Sequence, residues 1–90
     1  MITKGDYYID CGRIPRLCTN SDGDVEGISL VDGSIGSCSV YYCKPKKVTM
    51  KTAINWRLYG PRLKKQRKDL KLFYESEWGN GRKIWWTDKD

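Results

Sequence analysis

Turn-forming residues divide the first 43 residues into short segments, and this division limits what the chain can build. Gly12 and Pro15 interrupt the first run, the segment 20–24 (Asn-Ser-Asp-Gly-Asp) is a strong turn, and 32–34 (Asp-Gly-Ser) is another. The runs between these turns are rich in β-branched and aromatic residues, which favour strands. We therefore predict four or so short strands, within 5–10, 16–19, 25–31 and 35–43.

A chain of 90 residues forms one domain with a small core. Only 39% of its residues are hydrophobic, but it has four Trp and six Tyr, so aromatic side chains must supply much of the core. A small sheet of short strands hides its edges best by curling into a barrel. We predict an α+β domain whose residues 4–48 form such a barrel of antiparallel strands.

The hydrophobic period changes after the Lys-rich segment 44–47. Thr49 is a suitable N-cap, and Gly60-Pro61 ends the segment, so we predict a helix over 49–59 that docks on the barrel. Its inner face is predicted to hold Met50, Ala53, Ile54 and Leu58.

Residues 61–87 form a basic, Trp-rich module with two interpretations. In the first, Pro61 begins a helix through 62–68 and beyond. Its inner face would hold Leu63, Leu70, Phe73 and Tyr74. In the second, 70–78 and 82–87 are strands joined by a turn at Asn80-Gly81. We favour the hairpin, because Asn-Gly is the strongest short hairpin signal.

Charge is distributed unevenly along the chain. Residues 1–43 hold three basic and six acidic side chains, a net of −3, whereas residues 44–90 hold 14 basic and five acidic ones, a net of +9. The asymmetry predicts either an anionic partner for the second half or two halves that attract each other.

A basic, aromatic stretch is the sharpest functional signal, because its cations attract phosphates and its rings can stack on unpaired bases. The predicted partner-binding residues are Arg57, Arg62, Lys64, Lys65, Arg67, Lys68, Lys71, Trp78, Arg82, Trp85 and Trp86. Adjacent residues on a strand face opposite sides, so in the hairpin one of Trp85 and Trp86 would be exposed at an interface. The competing interpretation makes the basic residues a solvated face and the tryptophans core.

Four cysteines, Cys11, Cys18, Cys38 and Cys43, lie in the first half at spacings C-x6-C and C-x4-C. A zinc site would need all four, or a carboxylate such as Asp10, since the chain has no His. Two disulfides would need an oxidising compartment. We favour a third interpretation, in which the cysteines are free and buried at inward strand positions.

Enzymatic activity has little support from the sequence. The chain lacks His, a P-loop and a nucleophile elbow, and no small-molecule substrate is evident. It has no run of apolar residues that would span a membrane, and its opening residues lack the apolar stretch of a signal peptide. We therefore expect a cytoplasmic, non-catalytic protein.

The segment Lys4–Trp56 resembles the SH3-like barrels, in which a Gly-Asp pair such as Gly5-Asp6 opens the first strand. The run 27–34 (Gly-Ile-Ser-Leu-Val-Asp-Gly-Ser), the triplet 37–39 (Ser-Cys-Ser) and the exit Cys43 to Thr49 also resemble short bacterial proteins of uncharacterised function. The resemblance covers a little over half the chain. It implies a barrel closed by a helix and no particular activity, because such barrels host many functions.

The sequence thus predicts a non-catalytic binding module with a basic, aromatic face. Single-stranded nucleic acid is the first expected partner. An alternative is an adaptor or small inhibitor that binds an acidic host protein, including the kind that a virus or mobile element encodes. A third hypothesis is a zinc-stabilised scaffold.

Overall fold

The computed structural model describes residues 1–76 and 83–86. Five short strands and two helices follow one another along this part of the chain. The strands are β1 (Tyr7–Ile9), β2 (Pro15–Asn20), β3 (Val25–Ser29), β4 (Ile35–Cys38) and β5 (Lys46–Val48), and the helices are α1 (Met50–Tyr59) and α2 (Lys64–Glu75). The α+β class predicted from the sequence is confirmed.

The strands form one antiparallel sheet in the order β4-β3-β2-β1-β5. The predicted turns separate the first four strands, but β5 was not predicted, because it is only three residues long and lies in a Lys-rich segment. The sheet is open: β4 and β5 are its two edges and do not pair with each other. Closure into an SH3-like barrel is therefore not confirmed.

The core of the sheet is built around Tyr8, whose side chain is fully buried. It clusters with Ile2, Cys18 and Val25. Gly27 on β3 leaves room for this ring, because a Cβ at Gly27 would overlap the Tyr8 hydroxyl. Burial raises the pKa of Tyr8 to about 12, and its hydroxyl has no hydrogen-bond partner among the described residues.

Replacing Tyr8 with Phe should therefore leave the free energy of unfolding unchanged or raise it by up to about 1 kcal/mol, because only an unbonded buried hydroxyl is lost. Tyr74→Phe is the matched control, since the Tyr74 hydroxyl donates to the Gly12 carbonyl at 3.2 Å. We expect the control to lose about 1 kcal/mol. Urea unfolding of both variants makes the comparison, and a larger loss for Tyr8→Phe would contradict the packing described here.

Arg16 and Asp10 form an ion pair at the end of the sheet. The Arg16 Nε donates to Asp10 Oδ2 at 2.6 Å, and both side chains are nearly buried, with exposed fractions of 12% and 11%. Arg16 also donates to the carbonyls of Gly27 and Ser34, and Asp10 Oδ1 accepts from the Ile14 amide. This pair therefore connects the β1–β2 turn to β3.

Helix α1 begins as predicted. Its N-cap Thr49 accepts a hydrogen bond from the Thr52 amide, and Gly60 ends the helix with φ = 79°. The predicted inner face is wrong except for Ala53, which is fully buried, since Met50, Ile54 and Leu58 are 56%, 44% and 46% exposed.

Helix α1 therefore turns a different face to the sheet from the one predicted. Two side-chain hydrogen bonds hold it in this orientation. Trp56 Nε1 donates to the Arg13 carbonyl at 2.8 Å, and Arg57 Nε donates to the Leu30 carbonyl at 3.1 Å.

Helix α2 overturns the favoured hairpin, because residues 70–75 are helical and not a strand. The other interpretation is confirmed in part: Leu70 and Tyr74 face inward, whereas Leu63 and Phe73 are 58% and 48% exposed. The inward residues form a second core cluster with Trp86. The predicted turn at Asn80-Gly81 lies outside the described residues.

Candidate functional site

The solvent face of α2 carries the cations predicted as partner-binding. A helix advances about 100° per residue, so Lys64, Lys65, Lys68 and Lys71 fall within an arc of about 120°. That arc lies opposite the buried Leu70 and Tyr74. All four lysines are exposed, as is Arg62 just before the helix. The fold therefore gathers these cations on one exposed face, which also carries the carboxylate of Glu75.

Three of the six acidic side chains of the first half have partners away from α2. The two ion pairs of the described residues are Arg16 with Asp10 and Lys47 with Asp6. Asp32 accepts hydrogen bonds from the amide and hydroxyl of Ser34, and these bonds lower the pKa of Asp32. Within the part of the chain that the structure describes, the cations of Arg62, Lys64, Lys65 and Lys68 are thus not neutralised by the sheet.

Two of the predicted binding arginines also have structural contacts. Arg57 is partly buried and bonded to the Leu30 carbonyl. Arg67 is partly buried and donates to the carbonyls of Pro61 and Arg62, so it fixes the chain where α2 begins. Trp78 and Arg82 lie outside the described residues.

Of the two tail tryptophans that the structure describes, Trp86 is buried and Trp85 is partly buried. Trp86 is 5% exposed and lies against Gly60, Leu70 and Tyr74. Trp85 is partly buried, and its Nε1 donates to the Trp56 carbonyl at 3.1 Å. Neither indole is fully exposed, although the hairpin interpretation required one to be, and contact of one of them with a partner stays a prediction. The expectation of an exposed indole required residues 82–87 to be a strand of a hairpin. Instead, both rings pack against Leu70 and Tyr74 of α2.

A shallow groove of about 230 Å³ lies between the β1–β2 turn and α2. Cys11, Gly12 and Arg13 line one side, and Asp69, Leu70 and Phe73 line the other. The Tyr74 hydroxyl bonds to Gly12 beside it. The groove therefore connects the turn that carries Cys11 to the helix that carries the lysines.

Three of the four cysteines meet in space. The Sγ atoms of Cys11, Cys38 and Cys43 all lie within 4.8 Å of one another. The register explains part of this: Ile9 pairs with Lys46, so the residues after β1 and those before β5 lie at the same end of the sheet. Cys38 ends β4 and lies five positions before Cys43.

The thiols of this cluster affect one another. Hydrogen bonds from Cys38 and Cys11 lower the pKa of Cys43. The hydrogen bond to Cys43, with burial, raises the pKa of Cys11. Burial first, and then the bond to Cys43, raises the pKa of Cys38 to about 12. Cys43 is therefore the first of the three to become a thiolate.

The cysteine predictions need two corrections. All four thiols are free, but only Cys18 and Cys38 are buried, whereas Cys11 is exposed and Cys43 is intermediate. A site of four cysteines is also wrong for this geometry, because Cys18 belongs to the sheet core and its thiol faces the Asn20 carbonyl at 3.5 Å. The register places Cys18 on the same face of the sheet as Cys38, but among the core side chains Tyr8 and Val25 and outside the group of three.

A pair of exposed tyrosines was missed by the sequence analysis. Tyr41 and Tyr42 are 76% and 84% exposed, and their rings meet edge to face at 5.0 Å. Both amides donate to the Ser39 hydroxyl, which shapes this loop between Cys38 and Cys43. The signal was present as adjacent aromatic residues before the Lys-rich segment 44–47, in a run that we assigned to a strand.

Comparison of the chain with protein-family models, with curated proteins and with solved structures gives no match in any of the three. Of the two helices described, neither combines the length and the apolar character needed to cross a bilayer.

Proposed function

We propose that this protein is a non-catalytic binding module whose basic α2 face contacts an anionic partner, most of all single-stranded nucleic acid. One observation carries the proposal: four cations, Arg62, Lys64, Lys65 and Lys68, are exposed together and have no ion-pair partner among the described residues. Such a surface attracts phosphates, and contacts with them release counterions from the nucleic acid.

The placement of the first two lysines adds support. Lys64 and Lys65 open α2, whose first turn contains no acidic residue and whose N-cap, Leu63, makes no side-chain hydrogen bond. Cations at this end oppose the helix dipole and lower helix stability by a few tenths of a kcal/mol each. A bound anion would reverse this cost.

Exposed aromatic side chains are available for stacking. Trp86 is buried and Trp85 is partly buried, so the exposed candidates near the site are Phe73 at the groove and the Tyr41–Tyr42 pair. The tyrosine loop adjoins Cys43, whose thiol neighbours that of Cys11 in the wall of the groove. A strand crossing α2 could therefore continue along the groove toward Tyr42, and each stacked base would contribute about 1–3 kcal/mol.

We also propose that the sheet curls like an SH3-like barrel and that the protein is cytoplasmic. The fifth strand returns to the first, β4 ends at Cys38, and β5 begins three residues after Cys43, so the nearness of these two thiols supports an SH3-like, barrel-like curl. A cytoplasmic location agrees with free thiols.

The direct test is fluorescence anisotropy of labelled 20-nucleotide DNA and RNA, single-stranded and duplex, at low salt. We expect binding with a dissociation constant in the micromolar range and a preference for single strands, because only these offer unpaired bases. If protein at roughly 100 μM, about 100 times a micromolar dissociation constant, leaves every oligonucleotide unbound, the nucleic-acid function is refuted.

A second candidate, an adaptor or inhibitor of an acidic protein, has its own observation. Met50, Ile54 and Leu58 recur at i, i+4 and i+8 on α1 and are all exposed, which is typical of a helix that docks on another protein. A pull-down with and without nuclease separates the two functions. A partner protein retained after nuclease treatment, and lost in an Ile54→Glu variant, would favour the adaptor.

A further inference from the structure

The three-cysteine cluster has the chemistry of a metal site. Zinc binds thiolates at about 2.3 Å, which places the sulfur atoms of a tetrahedral site about 3.8 Å apart. In this protein the Sγ atoms of Cys11, Cys38 and Cys43 already lie within 4.8 Å of one another. Rotation about the side-chain bonds of the exposed Cys11 and the intermediate Cys43 can supply the remaining contraction.

A fourth protein ligand is not available among the described residues nearby. Cys18 is buried in the sheet core. Asp10, the nearest carboxylate in sequence, is held by Arg16 through one oxygen and by the Ile14 amide through the other. The fourth position of a tetrahedral ion would therefore be open to water.

We propose that Cys11, Cys38 and Cys43 bind one Zn²⁺ through three thiolates, with water as the fourth ligand. Three S–H bonds are replaced by three S–Zn bonds, and the protons pass to solvent. The proposal does not depend on the nucleic-acid function, because none of the three ligands is a cation of α2.

The position of the site in the fold gives it a structural role. Cys38 ends the edge strand β4, and Cys43 precedes the other edge strand, β5. A metal bound there joins the two edges of a sheet that hydrogen bonds leave open. Cys11 begins the turn whose carbonyls at Gly12 and Arg13 accept from Tyr74 and Trp56. The same ion would therefore fix the turn on which both helices rest.

The test begins with Co²⁺ titration of the reduced, full-length protein without oxygen. Binding of one equivalent should produce thiolate-to-cobalt absorption and intense tetrahedral bands, and Zn²⁺ should displace both. When the free Zn²⁺ concentration is well above the dissociation constant of the site, binding of one ion should raise Tm by roughly 10 °C. Hydrogen exchange should slow at residues 10–13 and 38–45, and stay unchanged in the turn at 20–24.

Matched variants identify the ligands. Cys43→Ser and Cys11→Ser should each weaken Co²⁺ binding by at least roughly 100-fold, because even loss of a ligand's supporting contact costs 10- to 100-fold. Cys18→Ala should lower Tm but keep the cobalt spectrum and the 1:1 stoichiometry. The proposal is overturned if wild-type protein gives no thiolate-to-cobalt absorption, if Cys18→Ala abolishes it, or if Cys43→Ser retains it.

Discussion

Gly60→Ala should lower the free energy of unfolding by about 4 kcal/mol. Gly60 ends α1 with φ = 79° and ψ = −169°, a region that is essentially restricted to glycine, and a side chain there costs about 1–3 kcal/mol in strain. A Cβ at this position would also lie 2.5 Å from Cδ2 of the buried Trp86, which adds about 1–3 kcal/mol of overpacking. A domain of this size has a total stability of roughly 5–13 kcal/mol, so the loss is large.

Gly33→Ala separates the two causes. Gly33 has a similar φ of 76°, but its Cβ would meet nothing within 4 Å, so only the strain of about 1–2 kcal/mol remains. Thermal unfolding followed by circular dichroism should show a drop in Tm at least twice as large for Gly60→Ala. Equal losses in the two variants would mean that Trp86 does not pack against Gly60.

The double variant Lys64→Glu/Lys68→Glu should weaken binding to a single-stranded oligonucleotide by roughly 30-fold at low salt. The two lysines lie one turn apart on the exposed face of α2. Micromolar affinity corresponds to about 8 kcal/mol, which phosphate contacts and base stacking share, and we assign about 1 kcal/mol to each of four phosphate contacts. Losing two costs about 2 kcal/mol, and the new carboxylates add repulsion.

Lys4→Glu/Lys51→Glu is the control of equal charge. Both lysines are exposed and lie outside α2, and their reversal changes the net charge of the chain by the same amount. We expect a loss of less than about fivefold, from the long-range field alone. Anisotropy titrations compare the pairs, with circular dichroism to verify folding. If both pairs lose affinity equally, binding follows net charge and α2 is not the contact surface.

The features that local sequence determines were predicted well. The turns at 20–24 and 32–34 and the cap at Thr49 depend on residues within a few positions of each other, and all of them occur in the structure. The face of α1 was not predicted, because Trp56 and Arg57 are positioned by the carbonyls of Arg13 and Leu30, which are distant in sequence.

The helix–hairpin choice failed for a related reason. Asn80-Gly81 is a strong local turn signal, but a hairpin would also have needed residues 70–75 to be a strand. Those residues belong instead to a Lys-rich segment with high helix propensity, and Leu70 and Tyr74 one turn apart pack on Trp86. Tertiary contact between these residues decided between two patterns that the sequence supported about equally.

The sequence identified the residues of the candidate site, but it did not show which of them lie together in the fold. The basic residues of 62–71 were identified from charge alone. Their exposure could be expected, since lysine side chains are rarely buried in any fold. The sequence left open whether the tryptophans belong to the core or to a binding surface, because the burial of Trp85 and Trp86 depends on the position of α2. The C-x4-C spacing found Cys38 and Cys43, but Cys11 joins them only through the pairing of β1 with β5.

The central claim is that exposed cations of α2 contact phosphates, and the salt dependence of binding tests it most directly. For single strands, the logarithm of the association constant falls with the logarithm of salt concentration with a slope of about −0.7 per phosphate contact. Four contacts predict a slope near −3 for the wild-type protein and about −1.5 for Lys64→Glu/Lys68→Glu. A wild-type slope near zero, or the same slope in both proteins, would contradict the claim.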